Sequence, residues 1–428
     1  VTRLRLAARD TFRSFRHRNF RVFFIGQAIS MAGTWLQLIA QTLLVLRLTG
    51  SGVAVGFLAA LQFLPVLVFG AFAGVLTDRV DRRRLLVVTQ VVMMTSAAAL
   101  GVLTLTGHAT VGWVYLLAAI TGSANAFDNP ARRVMIQELV AADDLANAAG
   151  LNSSLMTGAR IVGPALATVT VLTVGLGWCF VINAVSFIAA LVALARLDTT
   201  TMRRTPKVPR ERGQIAEGFR YVWSDDDLRV AVLLMTVVAT LGFNWQVVLP
   251  LFATRTLGGT ETTYTMLSTI LSVGSLVGSL MLARRRSVDL GLLVRLAFAY
   301  GVASLALGLA PNLAVTVVAG LVAGGFGIAY LSGTATLLQL RARPEMRGRV
   351  IALHAMLFLG TTPVGGPIAG WVAQHLGARA GVLLGAVPSV AAAVAAAAVL
   401  RRRGIGSLGG EDRLEPGPPE RTRPAVLA

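Results

Sequence analysis

The chain has 428 residues, 55% of them hydrophobic and 14% charged, with a mean hydropathy of +0.70. This composition excludes an ordinary soluble domain, which carries more charge and shorter apolar runs. The formal net charge of +19 does not indicate nucleic acid, because the arginines stand between apolar runs and no nucleic-acid motif accompanies them.

In chain order, residues 1–19 form a basic segment in which Phe12 and Phe15, followed by Phe20, alternate with arginines. This pattern suits an amphipathic stretch on the cytoplasmic membrane surface. The apolar run from Phe20 is too long for a signal peptide and lacks a small-residue cleavage site, so it is expected to be a retained helix. Runs of about 20 residues cross a bilayer as helix, whereas a membrane barrel alternates over about ten residues. The predicted spans are 20–46, 53–76, 85–105, 111–131, 147–174, 178–197, 229–252, 262–283, 288–309, 313–339, 350–373 and 380–400. The fold class is therefore an all-α membrane protein with twelve transmembrane helices.

The connections alternate in charge. One set carries Arg79, Arg82, Arg83 and Arg84, then Arg132 and Arg133, Arg203 and Arg204, Arg284 to Arg286, and Arg341 to Arg349; both chain ends belong to it. The other set is short and nearly free of basic residues, with Arg47, Arg255 and Arg379 as exceptions. The positive-inside rule places the rich set, and with it the N- and C-termini, in the cytoplasm of an inner or plasma membrane protein. That parity closes only with an even number of spans.

The longest connection, 198–228, divides the spans into an N-terminal six-helix half, 20–197, and a C-terminal half, 229–400. Its second part places Ile215, Phe219 and Val222 at helical spacing, predicting an interfacial helix. The tail, 401–428, is rich in Gly, Pro and charge from Gly404 onward and is expected to be disordered. Three pairs repeat in order across the halves: Gly70 and Gly74 with Gly274 and Gly278, Gly163-Pro164 with Gly366-Pro367, and Gly33 and Gln37 with Gly242 and Gln246. Such repeats predict two pseudo-symmetric halves, with a substrate site between them near the midplane.

The stretch Gly74-Val-Leu-Thr-Asp78-Arg79-Val-Asp81-Arg82-Arg83-Arg84 joins small residues, a carboxylate and arginines at a membrane edge. Small residues allow close helix approach, and a carboxylate there suits a helix N-terminus. Gly74, Asp78, Arg79, Arg82 and Arg83 are thus candidates for a cytoplasmic latch. A plain topogenic charge cluster fits the same residues.

This stretch resembles the cytoplasmic loop motif of the major facilitator superfamily. Residues 18–37, 125–133, 217–222, 243–253 and 347–371 extend the resemblance to the branch with enterobactin exporters and macrolide efflux pumps, the transmembrane secretion effectors. The resemblance implies that Asp78 latches to the eleventh helix and that Arg82 pairs with a carboxylate near the fourth, either Asp128 or Glu138. Asp81 departs from the general motif, which usually has glycine there, though relatives in this branch often carry aspartate. Gly150, Arg160, Gly163 and Pro164 resemble, incompletely, the glycine-rich antiporter motif of exporters. With Gly366 and Pro367 they also suit close helix packing.

Polar residues within spans mark the candidate cavity. Gln27, Ser30, Thr34, Gln37 and Gln41 share one face of the first span. That face must meet protein or water, as a cavity wall or through interhelical hydrogen bonds. Asn125, Asn152, Arg160, Asn244, Trp245, Gln246 and Tyr330 complete the candidates. Asp128 is the coupling candidate, with a static network as its alternative.

Cys179 is the sole cysteine and the histidines lack ligand spacing, so no metal or cofactor is expected. The absence of a Gly-Lys-Ser/Thr phosphate loop argues against ATP-driven transport, and no hydrolase or transferase constellation suggests an enzyme. The expected function is proton-coupled export of a small amphipathic molecule, such as a siderophore, macrolide or other drug. The expected partners are that substrate, protons and lipid, with the monomer as the working unit. An importer or uniporter on the same fold and a non-transporting sensor are the alternatives.

Overall fold

The computed structural model describes residues 11–203, 214–285, 287–343 and 345–402. Within them every regular element is helical. A short 3-10 turn, Arg13–Arg16, precedes α1 (Arg18–Thr49), α2 (Gly52–Arg79), α3 (Arg82–Leu105), α4 (Val111–Leu139), α5 (Leu145–Thr173) and α6 (Leu176–Ala195). A short helix, α7 (Gln214–Ser224), leads to α8 (Asp226–Thr256), α9 (Glu261–Ala283), α10 (Leu290–Gly308), α11 (Leu313–Arg341), α12 (Arg347–His375) and α13 (Ala378–Arg402).

Local chemistry sets the ends of these helices. Gly50 ends α1 at φ +60°, a conformation that a side chain disfavours. Ser51, Asp81, Asp289 and Asn312 cap α2, α3, α10 and α11 by accepting backbone N–H groups. The general motif's glycine position thus holds Asp81 for a local reason: its Oδ1 accepts the Arg84 N–H at 3.0 Å and starts α3.

Eleven helices among the described residues are long and apolar enough to cross a membrane. They match the predicted spans except the fourth. There the structure forms α4, 29 residues long and running past the expected end at 131, but it is not among the eleven. Asn125, Asp128, Asn129, Arg132 and Arg133 make its second half polar.

The seventh predicted span is not a uniform helix. In α8, a wide five-residue turn at Val238–Gly242 leads into a non-helical step at Phe243 and Asn244, and a second wide turn, Phe252–Thr256, follows the regular helix Trp245–Leu251. Such turns loosen the regular ladder and recur at functional positions. A turn at Thr361 likewise divides α12.

Packing partners repeat along the chain. In the first set, α1 packs on α6, α3 on α6 and α2 on α4; in the second, α8 packs on α13, α10 on α13 and α9 on α11. Between the sets, α2 lies on α12 and α5 on α9. Close glycines explain several of these contacts. A Cβ on Gly274 or Gly278 would fall 2.0 Å from a backbone oxygen of α11, and one on Gly33 would meet Ser186 and Asn183 of α6.

The N-terminal turn is tied down as well as amphipathic. Ser14 Oγ donates to Asn147 Oδ1 at 2.7 Å, and Arg13, Arg16 and His17 surround the Asp144 carboxylate. Phe15 meets Phe12, Phe20 and Phe24. In α7, Val222 is buried while Phe219 and Trp223 stack at 4.9 Å on the exposed side. Glu217 pairs with Arg349 across to α12. The side chain of Ile215, residues 204–213 and the tail from 403 lie outside the described residues.

Candidate substrate cavity and charge networks

The polar face of α1 divides among different partners. Gln37 Oε1 accepts from Asn183 of α6 at 2.7 Å, and Gln41 Oε1 accepts from Gln62 of α2 at 2.9 Å. Ser30 Oγ donates to Gln90 of α3 at 3.5 Å. Gln27 is buried and its Nε2 has no partner among the described residues. Thr34 bonds back to the Ser30 carbonyl and stays half-buried. Much of this stripe therefore ties α1 to its own set of helices. The facing partners Gln62, Gln90 and Asn183 carried no signal in the sequence, since none belongs to a polar stripe as long as that of α1.

Asp128 is fully buried and surrounded. Its Oδ1 accepts from Thr89 at 3.1 Å and Gln90 at 2.9 Å, while Oδ2 pairs with Arg132 one turn on. Arg132 continues to Asn129 at 3.3 Å, and Asn129 to Asn125 at 3.1 Å. Buried charges persist when paired and hydrogen-bonded, and this carboxylate is both.

Of the two partners proposed for Arg82, the structure selects Glu138, at the end of α4. Arg83 donates to the carbonyls of Leu194 at 2.8 Å and Ala195 at 3.0 Å, satisfying the C-terminal end of α6. Arg79 is exposed. The Asp78 side chain and the surroundings of Gly74 lie outside what the structure describes, and so does the expected contact of Asp78 with the eleventh span. In the loop after α6, the Thr200 hydroxyl and amide donate to Asp198 at 2.6 and 3.0 Å, which holds that carboxyl below the ordinary carboxylate range.

In α8, Asn244 is buried and donates to the Thr240 carbonyl at 2.7 Å, bridging the break in the helix. Trp245 and Gln246 are half-buried, and Trp245 meets Tyr300 edge-on at 6.4 Å. Tyr330 is buried, its hydroxyl without a partner among the described residues. In α5, Asn152 and Arg160 are half-buried, and the Arg160 guanidinium lies 4.9 Å from the Trp35 ring centroid.

The packing candidates differ sharply. A Cβ on Gly163 would stand 2.3 Å from that of Trp35, and Gly366 and Pro367 press against Gly56. Gly150 faces open space, so it contributes no close packing in this conformation.

The two sets of helices meet tightly at one end, near Gly52. Arg47 grips Glu261 through two hydrogen bonds of 2.9 and 2.8 Å, Arg255 donates to the Gly50 carbonyl, and Gln374 accepts the Gly52 N–H at 2.9 Å. A Cβ on Gly370 would lie 2.2 Å from the Gly52 carbonyl. The arginines that broke the charge alternation are thus engaged: Arg47 and Arg255 join the sets, and Arg379 holds the carbonyls of Gly308 and Ala310. Away from that end, Gly70 on α2 and Gly158 at the middle of α5 meet nothing within 4 Å among the described residues.

Two helical sets with repeating packing partners, joined tightly near Gly52, have the architecture of a membrane transporter of the major facilitator fold. Solved transporters of other families share that fold at low identity. A bacterial homolog of the human lysosomal transporter Spinster, in an inward-facing and unoccupied conformation, aligns at a TM-score of 0.66 and 16% identity, covering 90% of this chain and 96% of that one. A POT family transporter in complex with a thioalcohol-conjugated peptide aligns at 0.70 and 9% identity, covering 90% and 96%.

The family model for transmembrane secretion effectors matches residues 9–412, and the chain belongs to that family. Its relatives include macrolide efflux protein A of Streptococcus pyogenes, 25% identical over 377 residues, which cover 85% of this chain and 92% of the relative. The multidrug efflux pump Tap of Mycobacterium tuberculosis is 28% identical over 388 residues, covering 85% and 88%. The chain is therefore a multi-pass membrane transporter, not an enzyme, and acts on small molecules within a lipid bilayer.

Proposed function

We propose that this chain exports a small amphipathic compound across the cell membrane in exchange for protons, by alternating access, as a monomer. In this reading the chain has two six-helix halves, 20–197 and 229–400, joined by the connection 198–228. The helix α4 is the twelfth span, its polar half sheltered by α2 and α3, and both termini are cytoplasmic. The Gly52 end then faces outward and the structure is inward-open. The observation that carries this reading is the tight closure near Gly52: Arg47–Glu261 and Gly52–Gly370 join the sets there, while among the described residues nothing stands within 4 Å of a Cβ on Gly70 or Gly158. A carrier needs an interface with two stable arrangements, and a glycine-lined seam closed by a few polar contacts supplies one. The cargo class draws support from the efflux relatives.

The cavity wall in this reading is formed by Thr34, Asn125, Asn152, Arg160, Trp245 and Gln246, all half-buried. The reading is tested in inside-out vesicles. Proton-driven uptake of a macrolide or dye by the wild type supports export, and uptake unchanged after collapse of the pH gradient removes the antiport.

Uniport is a second reading, favoured by one observation: Asp128, the coupling candidate, is saturated by Thr89, Gln90 and Arg132. Asp128→Asn separates the two. Loss of proton dependence with retained facilitated flux supports antiport through Asp128, whereas unchanged proton dependence removes Asp128 from coupling.

A further inference from the structure

We propose that Arg160 and Trp35 form a binding site for the acidic group of an anionic amphiphile, a carboxylate or similar oxyanion beside an apolar body. This deepens the export reading above and rests on it.

The argument begins with charge pairing. Other arginines on or beside the spans have a carboxylate, among them Arg47 with Glu261, Arg82 with Glu138, Arg132 with Asp128, Arg229 with Asp226, Arg341 with Asp227 and Arg349 with Glu217. The carboxylates of α4 and α9 are thereby committed. Arg160 has neither an ion pair nor a hydrogen bond among the described residues, and its one specific contact is the face of Trp35 at 4.9 Å. Yet it stands at the middle of α5, fifteen residues from Leu145 in a helix of 29. An arginine at that depth requires a partner or water.

The local geometry presents the group rather than hiding it. Gly163, one turn on, lets α5 and α1 approach until its Cβ position is 2.3 Å from that of Trp35. That contact fixes the ring on which the guanidinium rests. A guanidinium over an aromatic face keeps its N–H donors at its edges, where they suit two carboxylate oxygens at once. Arg160 and Trp35 are both half-buried, as are Thr34, next to Trp35 in the chain, and Asn152 two turns earlier on α5. The site therefore offers a cation, an aromatic surface and neutral polar groups. A cationic cargo would meet an unopposed positive charge here.

The test uses purified protein in phosphatidylcholine nanodiscs and three matched probes: dansyl-labelled undecanoic acid, its methyl ester and the corresponding trimethylammonium. The wild type binds the acid at least about tenfold more tightly than the ester, as a charge-assisted hydrogen-bonded pair implies. Arg160→Gln removes that preference, and Arg160→Lys keeps part of it, with monodispersity on size exclusion confirming that both variants fold. Equal binding of acid and ester by the wild type overturns the site, as does a preference that survives Arg160→Gln. Displacement of the acid by phosphatidylglycerol in the disc identifies the bound anion as lipid; resistance to it identifies a solute.

Vesicle transport of the same probes separates this inference from the export reading. Export of the acid, unchanged by Arg160→Gln, overturns the anion site and leaves export standing. Binding of the acid with no probe transported overturns export and leaves the site standing.

Discussion

The two ends of the molecule use charge in opposite ways. At the Gly52 end, the exposed pair Arg47–Glu261 and the bond from Arg255 to Gly50 run between the two sets of helices. At the opposite end, the more buried pair Arg82–Glu138 and the bonds from Arg83 to the end of α6 stay within the first set. Exposed pairs contribute little and are easily separated; buried pairs are costly to break. The first arrangement suits a gate that must open, the second a unit that must move as one body. The glycines follow the same division. Gly52, Gly56, Gly366 and Gly370 are in close contact across the seam, while Gly70, further along α2, is not.

The sharpest challenge to this comparison is Glu138→Ala. It leaves Arg82 buried without its carboxylate and is expected to cost about 3–5 kcal/mol. Thermal unfolding in detergent would register this, with the Gly52 end still closed to cysteine reagents. A small loss would show that the pair does not hold the first set together.

Next comes Gly370→Leu, which forces a side chain against the Gly52 carbonyl. Overpacking of about 1–3 kcal/mol should fall on the closed seam, cutting transport about tenfold for each ~1.4 kcal/mol lost from the closed state. Labelling of a cysteine placed at Ser51 should rise. Gly70→Leu provides the contrast, since Gly70 meets nothing here: it should leave this conformation intact and impede only the state in which the opposite end closes.

Asp81→Ala removes a helix cap and is expected to lower stability by about 1 kcal/mol, with labelling at Ser51 unchanged. A smaller shift still is expected from Arg47→Ala, about 0.2–1 kcal/mol for an exposed pair. It should appear as increased labelling at the Gly52 end with little change in unfolding temperature, and the double reversal Arg47→Glu with Glu261→Arg should restore closure. A large stability loss from Arg47→Ala would erase the distinction between the two ends.

Much of this was legible in the residues. The apolar runs announced the helices, and the loop motif with the stretches 125–133 and 347–371 announced the superfamily, because both depend on local composition and spacing. The pair Asp128 and Arg132 was also readable, since residues four apart share a helix face. The three arginines on the poorly basic side stood out as exceptions, but their partners Glu261, Gly50 and Gly308 did not. The partner is more than 200 residues away for Arg47 and Arg255, and for Arg379 and Arg255 it is a backbone carbonyl, which carries no sequence signal.

The polar stripe of α1 shows the same limit. Its periodicity established that Gln27, Ser30, Thr34, Gln37 and Gln41 face one way. Only packing determined that Gln37 meets Asn183, that Gln41 meets Gln62 and that Trp35, outside the stripe, lies beneath Arg160.

By itself, the sequence determined that this chain is helical, membrane-spanning and related to secretion effectors, because burying backbone in lipid demands long apolar helices whatever their neighbours. The tertiary structure decided which charges are neutralised, which glycines touch and which arginine has, among the described residues, an aromatic ring as its one specific contact. Those outcomes depend on distances between helices remote in sequence, which hydrophobic periodicity does not encode.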